Sequence, residues 1–333
     1  MKKKILAIGF VVFSFILPLK ATAATFKEIY VFGDSLSDVG NTFNVTLDPD
    51  TGEVYPPPPY FQGRFSNGPI WVDYLAQDLG LTPTPYMDVA TGGAIPTEGI
   101  NFAFSGATTG TDNTTIPFVL PGLQQQINNF TAANTPADSN ALYIVEAGSN
   151  DYLGAGVTDP TVPVNNLSTA VTSLYNVGAR NIIVVNLPDL GSLPGTRGDS
   201  QISNYLNALT SAHNSGLATT LDFLSQNPNI NIIPLDLNSL FGRAIAAPEE
   251  FGFTNVTDSC LSTAGVCTNP NEYLFWDPIH PTTAGHKLVG ELAFRALESE
   301  SVPEPSVTLG ILALGALGTA SALFAQPEKS QPS

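Results

Sequence analysis

A serine follows an apolar segment at a point where its hydroxyl could act as a nucleophile. The stretch at 29–41 reads IYVFGDSLSDVGN, so Ser35 comes directly after a short β-branched and aromatic run that ends in Gly33. Glycine allows the sharp turn that exposes a serine side chain together with its own backbone N–H. The alternative interpretation is that Asp34, Ser35 and Ser37 only cap the next helix.

A histidine near the other end of the chain is the base that such a serine needs. The chain has three histidines, and His280 lies in the segment FWDPIHPTTAGH with Asp277 three positions before it. Prolines stiffen this turn, so the carboxylate can hold one imidazole nitrogen while the other faces a hydroxyl. The alternative is a histidine in a proline-rich turn before an amphipathic helix, with Thr282 or Thr283 as the N-cap.

Alternating strands and helices must position these two segments. Short β-branched or aromatic runs closed by Gly or Pro predict strands, and amphipathic stretches between them predict helices. This order predicts a parallel sheet with helices on both faces, whose functional residues lie at the carboxyl ends of strands. The predicted strands are 29–32, 100–104, 142–146, 181–185 and 230–234, and the predicted helices are 71–80, 123–130, 167–178, 201–226 and 283–299.

Six segments resemble, in order, the sequence blocks of the GDSL or SGNH serine hydrolases. They are GDSLSDVGN, GRFSNGPIWVDYLA, NFAFSGATTG, EAGSNDYL, NLPDLGSLP and DPIHPT, and the resemblance extends over nearly the whole mature domain. The resemblance implies a flavodoxin-like three-layer α/β/α sandwich with a central parallel sheet of about five strands. It also implies an esterase or lipase that forms an acyl-enzyme and needs no cofactor or metal.

The resemblance also implies a role for five residues. Ser35 would be the nucleophile, His280 the general base and then acid, and Asp277 the carboxylate that orients it. The backbone N–H groups of Ser35 and Gly106 and the side-chain amide of Asn150 would form the oxyanion hole. Taken alone, Gly106 also suits a turn at a strand end and Asn150 an Asx turn, so both keep a structural interpretation.

Two local features flank these residues. Cys260 and Cys267 are the only cysteines, and in an exported chain they predict a small disulfide loop just before the Asp277 turn. The segment YPPPPYFQGRF at 55–65 either walls an acyl pocket or is a surface connection. We find no ligand cluster with zinc spacing, so we expect no metal.

The composition suits an exported protein and argues against nucleic acid as a partner. Charged residues make up 12% of the 333 residues, and the formal net charge is -17. Typical globular proteins contain about 25% charged residues. Nucleic-acid binding depends on basic groups that neutralise phosphates, so the acidic balance argues against it. The expected partner is an ester substrate, either a lipid or an acylated polysaccharide.

The two ends of the chain read as targeting segments. Three lysines, an apolar run and the small residues Ala21 and Ala23 predict a cleaved secretory signal at 1–24. A single catalytic domain is predicted at 25–298. The remaining 299–333 joins a Pro-rich linker to an uncharged run at 307–325, long enough to cross the ~30 Å of a bilayer. We therefore expect the protein at the cell surface or outside the cell.

The sequence VPEP before this uncharged run resembles the PEP-CTERM sorting tails of bacterial exopolysaccharide-associated proteins. That resemblance implies a bacterial source and a sorting protease that removes the tail. If the tail stays, it would tether the protein to the membrane.

Three functions fit these observations. The first is an exported serine esterase or lipase. The second is a polysaccharide O-acetyl esterase, and the third is a surface-displayed binding protein on the same fold with vestigial hydrolase residues. The complete set of hydrolase residues argues against the third, whereas the fold itself does not select a substrate.

Overall fold

The structure is a computed structural model that describes residues 26–300. Its strands are β1 Ile29–Gly33, β2 Thr84–Pro85, β3 Gly99–Asn101, β4 Leu142–Glu146, β5 Asn181–Val185, β6 Asn231–Leu235, β7 Asn255–Ser259, β8 Leu261–Ser262, β9 Gly265–Val266 and β10 Tyr273–Phe275. Its helices are α1 Asn41–Thr46, α2 Trp71–Leu79, α3 Tyr86–Ala90, α4 Leu123–Ala133, α5 Ser149–Leu153, α6 Thr161–Val177, α7 Ser200–Leu224, α8 Leu237–Ala246 and α9 Thr283–Glu300.

Six strands form one parallel sheet in the order β2-β3-β1-β4-β5-β6. The chain extends the sheet on one side of β1 through β2 and β3, and then on the other side through β4, β5 and β6. The strand order therefore reverses at β1. In open parallel sheets such a switch point opens a crevice at the carboxyl ends of the strands, where ligands bind. The last residue of β1 thus lies at the edge of this crevice.

The sheet is buried on both faces because its strands carry apolar side chains on both faces. Val31, Ile144 and Ile183 belong to a core that includes residues of α2, α8 and α9. Their chain neighbours Phe32 and Val145 belong to a second core, formed with α4, α6 and part of α7. Successive side chains of a strand point to opposite faces, so this alternation makes one core on each side of the sheet. The result is the three-layer α/β/α fold that the sequence predicts.

Most differences from the sequence prediction concern short elements. The sheet has six strands rather than about five, because the two-residue edge strand β2 is too short to show a periodic pattern. The helices α1, α3, α5 and α8 were not predicted; three of them have six residues or fewer. α6 begins at Thr161 rather than at 167, with Pro163 in its first turn. Proline is tolerated there because the first N–H groups of a helix have no intrahelical partner.

Both predicted targeting segments lie outside the described residues. The signal at 1–24 and the uncharged run at 307–325 belong to the parts of the chain that the structure does not describe. Between residues 26 and 300, no helix combines the length and the apolar character that crossing a membrane requires.

Candidate active site

Ser35 lies in a tight turn directly after β1. Gly33 ends the strand, and a Cβ atom at this position would lie 2.5 Å from the carbonyl oxygen of Glu146 on the neighbouring strand. Only glycine therefore fits without a shift of the backbone. The Asp34 carboxylate and carbonyl accept the N–H groups of Leu36 and Ser37 at 3.0 and 3.1 Å, which closes the turn. α1 begins only at residue 41, so Ser35 does not cap it.

The chain brings His280 and Asp277 to this serine. His280 Nε2 lies 2.8 Å from Ser35 Oγ, and His280 Nδ1 lies 2.6 Å from Asp277 Oδ2. The other carboxylate oxygen, Oδ1, accepts the backbone N–H groups of Ile279 and His280 at 2.8 and 2.7 Å. The carboxylate is thus fixed by its own turn, and the imidazole can bridge it to the serine hydroxyl.

Tyr60 is a member of this arrangement that sequence reasoning missed. Its hydroxyl donates to Asp277 Oδ2 at 2.7 Å, to the same oxygen that contacts His280. Tyr60 belongs to the proline-rich segment at 55–65, and Tyr55 and Phe65 of that segment line the cavity at Ser35. This segment is therefore a wall of the cavity and not only a surface connection. The run of prolines and tyrosines was the only sequence signal.

The ionisation states of Asp277 and His280 suit a base that is ready to accept a proton. Burial by itself would raise the pKa of Asp277, but the charge of His280 and several hydrogen bonds hold this pKa at about 2. Burial would lower the pKa of His280, yet the carboxylate of Asp277 outweighs it and raises this pKa above its ordinary value. Asp277 therefore stays ionised and is placed to stabilise a positive charge on the His280 imidazole.

Two residues that line the cavity, Ser35 and Gly106, have backbone N–H groups that are free to bind an anion. Within residues 26–300, neither the N–H of Ser35 nor that of Gly106 donates a hydrogen bond. Gly106 has φ 76°, and a Cβ there would overlap Thr115. The position therefore requires glycine, and the backbone can approach a substrate closely.

Asn150 lies beside this pair, but its amide is engaged. Its Nδ2 donates to Asp34 Oδ2 at 3.0 Å and to the carbonyl oxygen of Ala107 at 3.1 Å. Its Oδ1 lies 3.4 Å from the Thr114 hydroxyl, and none of these bonds closes an Asx turn. The side chain thus links the nucleophile turn to the loop that carries Gly106.

The carboxyl groups of Asp34 and Glu146 form a buried pair at the turn that carries Ser35. The sequence analysis did not single out this pair. Glu146 ends β4 opposite Gly33, and its Oε2 accepts the hydroxyl of Ser37 at 2.8 Å. Burial raises the pKa of Glu146 to about 7, and burial with the nearby charge of Glu146 raises the pKa of Asp34. The signal available in the sequence was a glutamate that closes the otherwise uncharged strand LYIVE.

A cavity of about 230 Å³ opens at the serine. The polar part of its lining comes from Ser35, His280 and the groups around Gly106 and Asn150. The remaining wall is apolar and includes Leu153, Pro188, Leu190, Leu193 and Phe241. A substrate in this cavity would meet hydrogen-bond donors at one end and hydrocarbon at the other.

A disulfide braces the turn that carries Asp277 and His280. Cys260 and Cys267 are bonded to each other across the small β8–β9 hairpin. The N–H of Cys260 donates to the carbonyl oxygen of Phe275 at 3.1 Å, and Phe275 ends the strand just before the turn. Among the residues that the structure describes, no group of His, Cys, Asp and Glu side chains is placed to hold a metal ion.

The fold and the site define a class of protein. A serine hydroxyl, an imidazole and a carboxylate in hydrogen-bonded sequence, with free N–H groups beside the hydroxyl, form the arrangement of serine hydrolases. Here the arrangement stands at the switch point of a parallel sheet, in a three-layer sandwich.

Comparison with protein families gives the particular family. The model of the GDSL-like lipase/acylhydrolase family matches residues 29–293. The chain belongs to this family, and it is a hydrolase of ester bonds.

Curated relatives agree with this assignment. A GDSL esterase/lipase of Arabidopsis thaliana is 30% identical in an alignment that covers 83% of this chain and 83% of the relative. The thermolabile hemolysin of Vibrio parahaemolyticus is 28% identical and covers 83% of this chain, but only 64% of the hemolysin is covered.

Solved structures resemble this chain at lower identity. The aryl esterase of M. smegmatis is 20% identical, with a TM-score of 0.46 over 82% of this chain and 99% of the esterase. A carbohydrate acetylesterase from Sinorhizobium meliloti is 16% identical, with a TM-score of 0.46 over the same shares.

Proposed function

We propose that the protein is an exported serine esterase that hydrolyses carboxylic esters through an acyl-enzyme on Ser35. The observation that carries the proposal is the line from Ser35 Oγ through His280 to Asp277, with separations of 2.8 and 2.6 Å. A serine hydroxyl is a weak nucleophile until a neighbouring base takes its proton, and this line supplies the base.

The proposed reaction uses these groups in turn. As Ser35 Oγ attacks the ester carbonyl carbon, His280 Nε2 takes the hydroxyl proton, and the carbonyl oxygen becomes an oxyanion. The N–H groups of Ser35 and Gly106 and the amide of Asn150 bind this oxyanion. His280 then gives its proton to the leaving oxygen, and the alcohol departs. Water attacks the acyl-enzyme with His280 again as base, which releases the carboxylic acid and restores Ser35.

The second candidate is hydrolysis of acetyl groups from a polysaccharide. The cavity of about 230 Å³ is below the range of roughly 300 to 1,000 Å³ that holds drug-sized ligands, so a small acyl group fits it well. The PEP-CTERM-like tail supports the same substrate class. A non-catalytic binding protein is disfavoured, because binding alone does not require a base within hydrogen-bond reach of the serine.

We also propose export followed by sorting or membrane attachment. The low share of charged residues, the signal-like segment at 1–24 and the Cys260–Cys267 disulfide support export. The partner at the tail is a sorting protease if 307–325 is removed, and the membrane if it is kept.

A fluorophosphonate probe tests the proposed nucleophile. We expect the probe to label Ser35, and we expect Ser35→Ala to lose both the labelling and the esterase activity. Ser149→Ala is a matched control, because Ser149 lines the same cavity without contacting His280. Labelling of another serine, or full activity in Ser35→Ala, would overturn the mechanism. Mass spectrometry of the labelled peptide identifies the site.

A further inference from the structure

The active-site cavity has a smaller neighbour that is not in contact with the reacting groups. This second cavity has a volume of about 90 Å³ and is lined partly by Ile245 and Phe275. Pro188, Leu193 and Phe241 line both cavities. These three side chains therefore form the partition between the two spaces.

The second cavity suits hydrocarbon better than a polar group. The side chains of Pro188, Leu193, Phe241, Ile245 and Phe275 supply its apolar wall. Its polar side chains are Ser192 and Asp189, and the Ser192 hydroxyl donates to Asp189 Oδ2 at 3.0 Å. Because the other five side chains are apolar, an alkyl chain would leave water for a mostly apolar wall.

The chemistry of the reaction directs the acyl chain toward the wall of the active-site cavity that contains this partition. His280 must reach the leaving oxygen to protonate it, so the alcohol lies against His280 and its neighbours. Phe65 is one of them, with its ring centroid 5.2 Å from that of the imidazole. The acyl chain then extends toward the rest of the apolar wall, to which Leu153, Pro188, Leu190, Leu193 and Phe241 belong.

We propose that Phe241 limits the length of the acyl chain, because its ring closes the active-site cavity toward the second cavity. This proposal rests on the proposed esterase function. It assigns esters of short acyl chains as the substrate class, and the space behind Phe241 as an extension that a longer chain would occupy if the ring were removed.

The position of Phe241 explains why its ring acts as a fixed wall. Phe241 lies in α8, is 3% exposed and meets the ring of Phe275 edge to face at 6.2 Å between centroids. Close packing of this kind keeps an aromatic ring in one rotamer. A chain that reaches the ring therefore meets a barrier and not a flexible lid.

Chain-length profiles with p-nitrophenyl esters from acetate to dodecanoate test the proposal. We expect the wild-type kcat/KM to be highest for acetate or butyrate and to fall for octanoate. Each methylene that becomes buried strengthens binding roughly fourfold. Joining the two cavities would bury several further methylenes of a longer acyl chain. For Phe241→Ala, we expect the ratio of kcat/KM for octanoate over acetate to rise at least tenfold, with a smaller rise for Phe241→Leu.

Leu240→Ala is the matched control. Leu240 is the neighbour of Phe241 in α8 and is buried in the core, but it lines neither cavity. Its truncation disturbs the same helix, so we expect lower stability with an unchanged ratio. If Phe241→Ala does not fold, Phe241→Leu and Leu193→Ala open the same partition with less loss of volume.

The outcomes separate this proposal from the proposed function. An unchanged ratio in the Phe241 and Leu193 variants, or a wild-type preference for octanoate and longer chains, would overturn the chain-length limit while leaving the esterase intact. Wild-type protein that hydrolyses none of the esters and does not react with the fluorophosphonate would instead refute the proposed function.

Discussion

Asn150 shows how much of the site depends on single hydrogen bonds. In the resting structure both hydrogens of its amide are engaged, one by Asp34 Oδ2 and the other by the carbonyl oxygen of Ala107. A substrate oxyanion must therefore share this donor with them. Because a negative oxygen is a stronger acceptor than a neutral carbonyl, the amide would strengthen its contact as the charge develops.

We predict that Asn150→Ala lowers kcat by ~10²- to 10³-fold with little change in KM. The reason is that an interaction with the oxyanion acts mainly in the transition state. Steady-state kinetics and a melting curve on the same variant check this. A kcat within a few-fold of wild type, with a loss of thermal stability, would show that Asn150 only links two loops.

Tyr60 gives a second prediction at this scale. Its hydroxyl withdraws electron density from Asp277 Oδ2, so Tyr60→Phe would make the carboxylate more basic. A more basic Asp277 stabilises the imidazolium, and the pKa of His280 rises further above its ordinary value. We expect the acidic limb of the kcat/KM profile to move to higher pH by up to about one unit, because hydrogen bonds to charged groups contribute about 1.5 kcal/mol or more.

The control for this prediction lies in the same segment. Tyr55 lines the cavity but does not hydrogen-bond to Asp277. Tyr55→Phe should therefore leave the acidic limb in place. An identical pH profile in wild type and Tyr60→Phe would mean that the Tyr60 hydroxyl does not influence the base.

At the scale of elements, the pairing of β1 with β4 buries the Glu146 carboxyl group, and this burial makes stability depend on pH. Gly33 and Glu146 pair in register, so the Glu146 carboxyl lies under the nucleophile turn, where it is buried. Its raised pKa means that the folded protein holds a proton that the unfolded chain would release. The stabilisation that comes from holding this proton is fully present below pH ~4.5, the ordinary pKa of a glutamate side chain. It is lost as the pH rises through about 7, the pKa of Glu146 in the folded protein.

We predict that Glu146→Gln removes much of this pH dependence. Glutamine keeps the acceptor for the Ser37 hydroxyl but has no charge to bury. At pH 8 the variant should unfold at a higher temperature than wild type, with a free-energy difference of about 1 to 3 kcal/mol. At pH 4 the two should differ little. The exposed Glu250→Gln is the control, and an equal pH dependence in wild type and Glu146→Gln would contradict the argument.

At the scale of the whole molecule, the proposed targeting segments lead to a prediction about processing. We expect the mature protein to begin near Ala24 or Thr25, because Ala21 and Ala23 supply the small residues of a cleavage site. If the tail is a sorting signal, the chain should end near Pro305. Terminal sequencing of the protein from its native host decides, and a mature protein that retains 307–325 would be tethered to the membrane instead.

The sequence by itself determined the residue types for the chemistry and the plan of the sheet. Ser35 stands out because a glycine turn follows an apolar strand, and His280 because Asp277 lies three residues away. Both signals are local, and local patterns of hydrophobicity and turn residues are readable without knowledge of packing. The other five strands of the six-stranded sheet were predictable for the same reason, whereas the two-residue β2 carries no periodic signal.

Only the tertiary structure decided how distant side chains meet at the site. Tyr60 reaches Asp277 across 217 residues of chain, and Asn150, which the family resemblance names, donates to Asp34 across 116. Phe241 lines the cavity from a helix that was not predicted. Such contacts depend on how packed layers align their loops at one edge of the sheet. Their geometry results from close packing of the whole core, and sequence spacing contains no measure of it.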